Sequence, residues 1–352
     1  MQTVFFTGYP GFLGTALLPR VLQRLPEAAA VCLVQDKFAS LARERSREFG
    51  DRVRIVEGDI TAPISLPTVD IIEIYHLAAV YDLSVRRDVG IRVNVDGTRK
   101  VLDFAERCSS LRRLHYISTC YVSGRHDGVF REDDLDVGQS FNNFYEETKF
   151  LAEVEVRRRT QLPSTIYRPA VVVGDSRTGQ TQKFDGPYYV MQWILRQPRM
   201  AMLPVVGRPA KYRFNVVPRD FIIDAIDYLS CGTDTLVRPA QTGVSVPQQK
   251  CYHLADPWPL TVDEIINAIA RASARKIIRI PLPLSIARVG APLLRIPSAA
   301  VNYFTHPTTY DTTNAQRDLA GSGISVPRLT DYLPRLIEFA LAHPEIGAQG
   351  MA

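Results

Sequence analysis

The first turn of the chain constrains the fold more than any other stretch. A short apolar run, Thr3–Thr7, passes straight into Thr7-Gly8-Tyr9-Pro10-Gly11-Phe12-Leu13-Gly14, and a helical pattern over Leu13–Leu25 follows. Glycines at this spacing between a strand and a helix suit a bound pyrophosphate. The first allows a tight turn, the second lets backbone approach the phosphates, and the third lets helix and strand pack closely. The helix start then offers unpaired N–H groups to the anion. The spacing predicts a dinucleotide site in which Gly8, Gly11, Phe12, Leu13 and Gly14 hold the cofactor.

Such a turn belongs to a parallel sheet, and the next residues read that way. Strand patterns at Ala30–Val34, Val53–Glu57, Ile74–Leu77, Arg113–Ile117 and Ser164–Tyr167 alternate with helical patterns at Phe38–Phe49, Val95–Cys108 and Phe144–Arg159. A later helix, Asp220–Ser230, precedes a last strand, Cys251–Ala255. Near-continuous apolar strands separated by helices indicate a sheet covered on both faces. The expected fold is α/β: a Rossmann-type doubly wound parallel sheet with a smaller, mainly helical substrate lobe. The dinucleotide-binding part takes residues 1–175 with 214–231 and 251–255. The lobe takes residues 176–213, rich in Gly, Pro, aromatics and Arg, and residues 256–352.

Further positions fall at the ends of these strands. Gly58-Asp59-Ile60 closes the third, where Asp59 can accept from an adenine amine and Ile60 can line the pocket; a turn or cap is the plainer role for Asp59. His76-Leu77-Ala78-Ala79 closes the fourth, with Ala78 and Ala79 small enough to leave room for a ribose and diphosphate. An acid directly after the second strand holds a ribose 2′-hydroxyl, but Gln35 stands there, with Lys37 and Arg43 near. The expected cofactor is therefore NADP(H), while Asp36 leaves NAD(H) open. Asn94, at a helix start, is placed to hold a buried water or backbone group.

Tyr145-Glu146-Glu147-Thr148-Lys149 sets a phenol and an ammonium one helical turn apart. A cation beside a tyrosine favours the phenolate and lowers its pKa, which suits acid–base chemistry, and Lys149 can also bind a nicotinamide ribose. Ser118-Thr119 leaves the fifth strand, and Thr119, with Ser118 in reserve, can polarise a carbonyl. Thr119, Tyr145, Lys149 and Asn94 form the expected catalytic set.

Taken in this order, the residues resemble the extended short-chain dehydrogenases/reductases. Tyr167-Arg168-Pro169, Val173-Gly174 and Asn215-Val216-Val217-Pro218-Arg219-Asp220 continue the likeness over roughly residues 1–256. Gly11-Phe12-Leu13-Gly14, Ser118-Thr119-Cys120-Tyr121-Val122 and Asn215-Val216-Val217-Pro218 are most similar to the thioester-reductase and fatty-acyl-CoA-reductase branch. The resemblance implies catalysis by Thr119, Tyr145 and Lys149, NADPH as cofactor, and cofactor contacts at Arg168, Pro169 and Val172. It implies an NAD(P)H-dependent reductase of an apolar carbonyl, with an acyl thioester (acyl-CoA or carrier-bound) favoured. The alternatives are a ketone or hydroxyl oxidoreductase on a lipid-, sterol- or polyketide-like substrate, and a non-catalytic dinucleotide-sensing regulator.

Composition narrows the partners. The chain has 352 residues, 46% hydrophobic and 22% charged, with a formal charge of +5, which fits a folded protein and gives no reason to expect nucleic acid. Its five cysteines form no CxxC pair; reduced, buried thiols in the cytoplasm are expected, with no metal site. The first residues show no basic region ahead of an apolar stretch, so no signal peptide is expected. Ile280–Ile296, the most membrane-like stretch, is broken by Arg288, Arg295 and prolines, so it can rest on a bilayer but not span one. The segment Lys183–Tyr189 with Trp193 and Ile194 falls where a lid would lie. Tyr303, His306 and Tyr310 read as packing and cap residues. A homodimer would pair through the helices around Val95–Cys108 and Phe144–Arg159.

Overall fold

The computed structural model describes residues 2–231, 249–283, 285–286 and 298–347. Its first half alternates β1 (Thr3–Thr7), α1 (Gly14–Arg24), β2 (Ala29–Val34), α2 (Asp36–Ser46), β3 (Val53–Glu57) and β4 (Ile71–His76). A short helix α3 (Arg87–Gly90) and a π-helical turn, Ile91–Asp96, lead into α4 (Gly97–Glu106) and β5 (Arg113–Ile117). Then come β6 (Gly128–Phe130), α5 (Phe144–Arg158), β7 (Ser164–Pro169), β8 (Val171–Val173), α6 (Pro187–Leu195), β9 (Met200–Val206), β10 (Val216–Pro218) and α7 (Arg219–Cys231). The last part holds β11 (Gln249–Leu254), α8 (Val262–Ala272), β12 (Lys276–Leu282), β13 (Thr308–Tyr310), α9 (Thr313–Leu319) and α10 (Leu329–Ala342).

Seven strands form a sheet in the order β11-β7-β5-β4-β1-β2-β3, every neighbouring pair parallel. The expected doubly wound sheet is present. Because all the strands run one way, all their C-terminal ends lie along one edge. Strand order reverses between β1 and β4, the place where such sheets bind ligands. β2 and β5 are buried at every residue, as strands covered by helices on both faces must be. One face packs Leu17, Val21, Ile222 and Ile226 against the sheet, and the other packs Val101, Phe104, Ala152 and Val156.

The fourth strand begins three residues before the expected Ile74 because Glu73 breaks its apolar run. The fold buries that carboxylate against Arg24 Nη2 and the Tyr75 hydroxyl, each at 2.8 Å. The helix expected to begin at Val95 extends back through the π-helical turn to Arg87. The C-terminal segment, expected to be helical, also contributes strands: β12 pairs in parallel with β9, and β13 with β6. Among the thiols, Cys231 is exposed rather than buried.

A third apolar cluster joins Met191 and Ile194 of α6, Ala201 and Leu203 of β9, Ile265 and Ile269 of α8, and Leu333 and Leu336 of α10. Ala315 and Leu319 of α9 instead pack with the sheet. Of the stretch Ile280–Ile296, residues 284 and 287–296 lie outside the described residues. No helix among the described residues is long and apolar enough to cross a membrane.

Glu132 ties α9 to the sheet edge. Its buried carboxyl accepts the backbone N–H of His253 and of Ala315, both at 3.0 Å, and that of Asn314. Burial pushes its pKa up to about 7, against the pull of those three amides. The folded carboxyl then keeps its proton at pH values where the unfolded chain, with a glutamate near 4.5, has lost it. The group's contribution to stability therefore falls as pH rises from about 4.5 to about 7. Urea titrations across that window are expected to show a flatter pH dependence for Glu132→Gln than for the wild type.

Candidate active site

The glycine turn closes around a single carbonyl. Gly8 has φ +88°, and a Cβ there would lie 2.7 Å from the backbone nitrogen of Ala78. A Cβ on Gly11 or on Gly14 would lie 2.7 or 2.6 Å from the Gly8 carbonyl oxygen. No side chain caps α1 and its first turn carries no acid; its Thr15 and Ala16 N–H groups donate to the Gly11 and Leu13 carbonyls at 2.9 and 3.1 Å, beside half-buried Phe12 and Leu13. These features fit a dinucleotide phosphate: a cradle that side chains would fill, at an uncapped helix start.

Beside it, a hydrogen-bond chain joins β1, β4 and α4. Thr98 donates to the Asn94 carbonyl at 2.6 Å, which leaves its oxygen to accept from His76 Nε2 at 2.9 Å. His76 Nδ1 then accepts from Thr7 Oγ1 at 2.7 Å, and Thr7 accepts the Ala78 N–H at 3.3 Å. Burial, then the neighbouring Lys149, pushes His76 down to about 3, so it acts as a neutral strut. Ile60 packs where a side chain on Gly97 would sit.

At the end of β2, the Gln35 amide donates to Asp59 Oδ2 at 2.6 Å, while Asp59 Oδ1 accepts the Thr61 N–H at 2.8 Å. Desolvation works to raise the Asp59 pKa, but the Thr61 and Gln35 hydrogen bonds outweigh it and hold the acid below its ordinary value. Arg43 is ion-paired to Glu57, and Lys37 lies over the Phe38 ring at 4.9 Å. Two cations that the sequence reading passed over reach the glycine turn instead. Arg45 Nη1 donates to the Pro10 carbonyl at 3.0 Å, and the Arg219 guanidinium lies 5.1 Å from the Phe12 ring centre. No motif marks Arg45, and Arg219 stands in the Asn215–Asp220 motif with nothing local to tie it to the glycine turn; α2 and α7 bring the two in.

The phenol, hydroxyl and amine meet at the end of β5. Asn143 caps α5 through the Glu146 N–H at 3.0 Å and so sets where Tyr145 and Lys149 fall. The Tyr145 hydroxyl is hydrogen-bonded to Thr119, whose oxygen also accepts the Tyr121 N–H at 3.3 Å. Thr119 Oγ1 lies 3.5 Å from the Pro169 carbonyl, which places Pro169 at the site. Lys149 Nζ donates to the Ile117 carbonyl at 2.8 Å and sits 4.5 Å from the Tyr116 ring centre. Contrary to the expected effect of Lys149, burial raises the Tyr145 pKa above its ordinary value, and only the Thr119 hydrogen bond opposes the rise. Burial lowers Lys149 to about 7, with Glu153 opposing. The phenol is thus held protonated, the state in which it can donate.

The structure separates the remaining candidates. Ser118 donates to Glu153 Oε2 at 2.6 Å and faces away from Tyr145. Asn94, in the π-helical turn, accepts the Val80 N–H at 2.9 Å and donates to Thr148 Oγ1 at 3.0 Å, so it fastens the loop after β4 to α5 and does not meet the phenol. The Arg168 side chain is wholly buried, bonded to Glu153 Oε1 at 2.6 Å, to the Asp134 carbonyl at 2.6 Å and to His253 Nε2 at 3.0 Å. A guanidinium committed in this way is not free for a nucleotide, a correction to its expected role. Val172 lies half-buried in β8.

The expected lid reaches the phenol through Tyr81, whose ring meets that of Tyr145 edge-on at 4.9 Å. Lys183 Nζ lies 3.6 Å from the Tyr81 ring centre and 2.7 Å from Asp185, which is hydrogen-bonded to the Tyr81 hydroxyl. Tyr303 packs on Tyr121 at 4.7 Å and accepts from Asn143 at 3.0 Å, and His306 Nε2 meets the Tyr310 hydroxyl at 3.0 Å, consistent with packing and cap roles. Pro187, Val190, Phe214, Val262, Ile266 and Phe304 line a shallow apolar cleft in the third cluster.

The sequence profile described as male sterility protein, an NAD-binding family, matches residues 6–226. The chain belongs to that family. Among curated relatives, a linear gramicidin synthase from Brevibacillus parabrevis is 27% identical over 296 residues, covering 76% of this chain and 5% of that protein. Fatty acyl-CoA reductase 1 of Arabidopsis thaliana is 25% identical over 174 residues, 40% of this chain and 35% of that one. The chain therefore spans well under two thirds of these relatives' length. Among solved structures, the terminal R domain from the myxalamid PKS-NRPS biosynthetic pathway superposes with a TM-score of 0.77 at 26% identity, covering 98% of this chain and 91% of that one. A UDP-glucuronic acid 4-epimerase from Bacillus cereus, with a TM-score of 0.65 at 18% identity, shares the fold. The motifs on which the resemblance rested thus led to the right family.

Thr119 and Ser118 can be separated experimentally. Ser118→Ala removes a buried bond to a charged acceptor and is expected to lower stability by about 1.5–3 kcal/mol in urea unfolding, with little change in NAD(P)H binding. Thr119→Ala is expected to leave stability within about 1 kcal/mol of wild type.

Proposed function

We propose that this chain is an NAD(P)H-dependent reductase of an acyl thioester, acyl-CoA or carrier-bound, with an apolar acyl group. The observation that carries the reading is the protonated Tyr145 phenol hydrogen-bonded to Thr119 at the end of β5, with Lys149 one turn along α5. The terminal R domain that superposes over most of the chain supports the thioester, as does the fatty acyl-CoA reductase among its relatives. Residues 176–213 and 256–352, apart from α9, which packs with the sheet, are assigned the substrate lobe, in keeping with the apolar cleft.

Gly8, Gly11, Phe12, Leu13 and Gly14 would hold the cofactor phosphates, Asp59, Ile60, Ala78 and Ala79 its adenosine half, and Lys149 its nicotinamide ribose. The reduced nicotinamide, when bound, supplies the hydride. Thr119 and Tyr145 share a hydrogen bond, so both hydroxyls can reach one carbonyl oxygen. As negative charge develops there, Tyr145 passes its proton to it, and Thr119 holds the same oxygen in place. Collapse of the resulting hemithioacetal releases an aldehyde and a thiol. Lys149, near neutrality in its own titration, can return a proton to the phenolate. The Tyr81–Lys183–Asp185 cover limits water at the phenol. NADPH is favoured over NADH because Gln35, an amide that donates to Asp59, takes the place of the acid directly after β2, with Lys37 two residues on and Arg45 at the glycine turn; Asp36 leaves NADH open.

The test is cofactor oxidation with a medium-chain acyl-CoA, followed with released thiol in one cuvette and repeated with NADH. Thiol appearing in step with NADPH loss supports the reading; oxidation of NADPH by a ketone with no thiol transfers it to a ketone reductase. Tyr145→Phe is expected to cut turnover at least ~10²-fold while the cofactor still binds. Lys149→Met is expected to lose activity on the same scale yet melt no lower than wild type, because it removes a buried ammonium.

A further inference from the structure

We propose that the outer face of the β9–β12 pair docks on an anionic lipid surface. In register, Met200 lies opposite Lys276, and Met202 opposite Ile278. Ala201 and Leu203, between the two methionines and beyond them, point into the core, which turns the methionines outward. Met200 is 60% exposed, Met202 52% and Ile278 48%, so three large aliphatic side chains lie together in water on two adjacent strands. One such residue alone needs no explanation, but a contiguous set marks an interaction site.

The charge around this face is one-sided. Residues 186–219 and 265–310 hold 12 Lys and Arg and no Asp or Glu, while the rest of the chain holds 30 cations and 37 acids. β9 comes from the first of these stretches and β12 from the second, so strand pairing joins the chain's two longest acid-free segments. Arg196, Arg199 and Lys276 are exposed at the start of the pair, and among the described residues none is ion-paired to an acid. Arg275 and Arg279, by contrast, are tied inward, to the Leu195 carbonyl at 2.9 Å and to Asp263 at 3.0 Å.

This combination selects the occupant. Free cations beside exposed methionines and isoleucine match a surface that offers phosphate headgroups and, just beneath them, acyl chains. A nucleic acid would satisfy the cations but leave the aliphatic side chains in water. Strand addition by a peptide is blocked at Met202, whose N–H donates to Gln197 Oε1 and whose carbonyl accepts from Trp193, at 3.0 and 2.7 Å. In sequence, β12 runs on to Ile286, itself 56% exposed. The inference does not rest on the proposed reaction.

The test is co-sedimentation of the full chain with phosphatidylcholine vesicles, with and without phosphatidylglycerol. Binding is expected only where phosphatidylglycerol is present, and it is expected to weaken at high salt. Arg199→Gln with Lys276→Gln, and separately Met200→Ser with Met202→Ser and Ile278→Ser, are each expected to weaken it by at least about tenfold. All five positions are exposed, and the variants are compared at matched melting temperature. A wild-type chain that stays in solution, binding indifferent to phosphatidylglycerol, or binding that survives both sets of substitutions overturns the proposal. Retention on polyglutamate without vesicle binding overturns it too and points to an acidic protein partner.

Discussion

The buried ion pair between Arg168 and Glu153 holds the active-site edge together. Arg168 lies near the C-terminal end of β7, and Glu153 lies on the inner face of α5, with neither side chain reaching solvent. Through Glu153 the pair also takes the Ser118 hydroxyl, and through Arg168 it takes His253 of β11 and the carbonyls of residues 132 and 134. Two strands, one helix and a loop thus converge on one charge pair. Breaking a pair of this kind leaves a bare buried charge, at a cost of about 3–5 kcal/mol. Its place one turn beyond Lys149 on α5 sets the height at which that helix, with Tyr145 and Lys149, crosses the strand ends.

The electrostatics of the site follow from this burial. In water, a lysine near a tyrosine would pull the phenol toward phenolate. Here both side chains have left water, and desolvation is the larger effect for each: the phenol holds its proton more tightly and the ammonium more loosely. That ordering suits reduction, in which the enzyme must give a proton to an oxygen gaining negative charge. The neutral His76 and its threonine neighbours add no charge to this region and still leave no polar atom of the imidazole unpaired, so the strand ends are rigid without further desolvation cost.

Much of the fold and some of the site could be read from the residues alone. β1, β3 and β5 begin and end where their patterns do, although β5 buries Arg113 at its start and His115 within it. β4 was misplaced because Glu73 looks like surface until Arg24, far away in sequence, is brought against it. Thr119 and Ser118 are equivalent as a sequence pair. Only the alternation of side chains at the strand end, one toward Tyr145 and one toward Glu153, tells them apart. Arg168 reads as a cofactor contact by position in a motif and becomes a structural charge once its partners are in place. Arg45 carried no signal and Arg219 was marked only as part of the Asn215–Asp220 motif, since nothing local says that α2 and α7 carry them to the glycine turn.

The order of residues was enough to specify a set of local geometries: a turn only glycines can make, a phenol and an amine one helical turn apart, and strands apolar enough to be covered on both faces. These depend on backbone sterics and short-range periodicity, which neighbouring residues dictate. Folding settled everything that depends on burial and on long-range partners. It set which hydroxyl faces the phenol, which way the Tyr145 and Lys149 titrations move, which cations are spent in ion pairs, and how two acid-free stretches form one face. Those properties are set by desolvation and by groups far apart in the chain, and neither exists until the chain has folded.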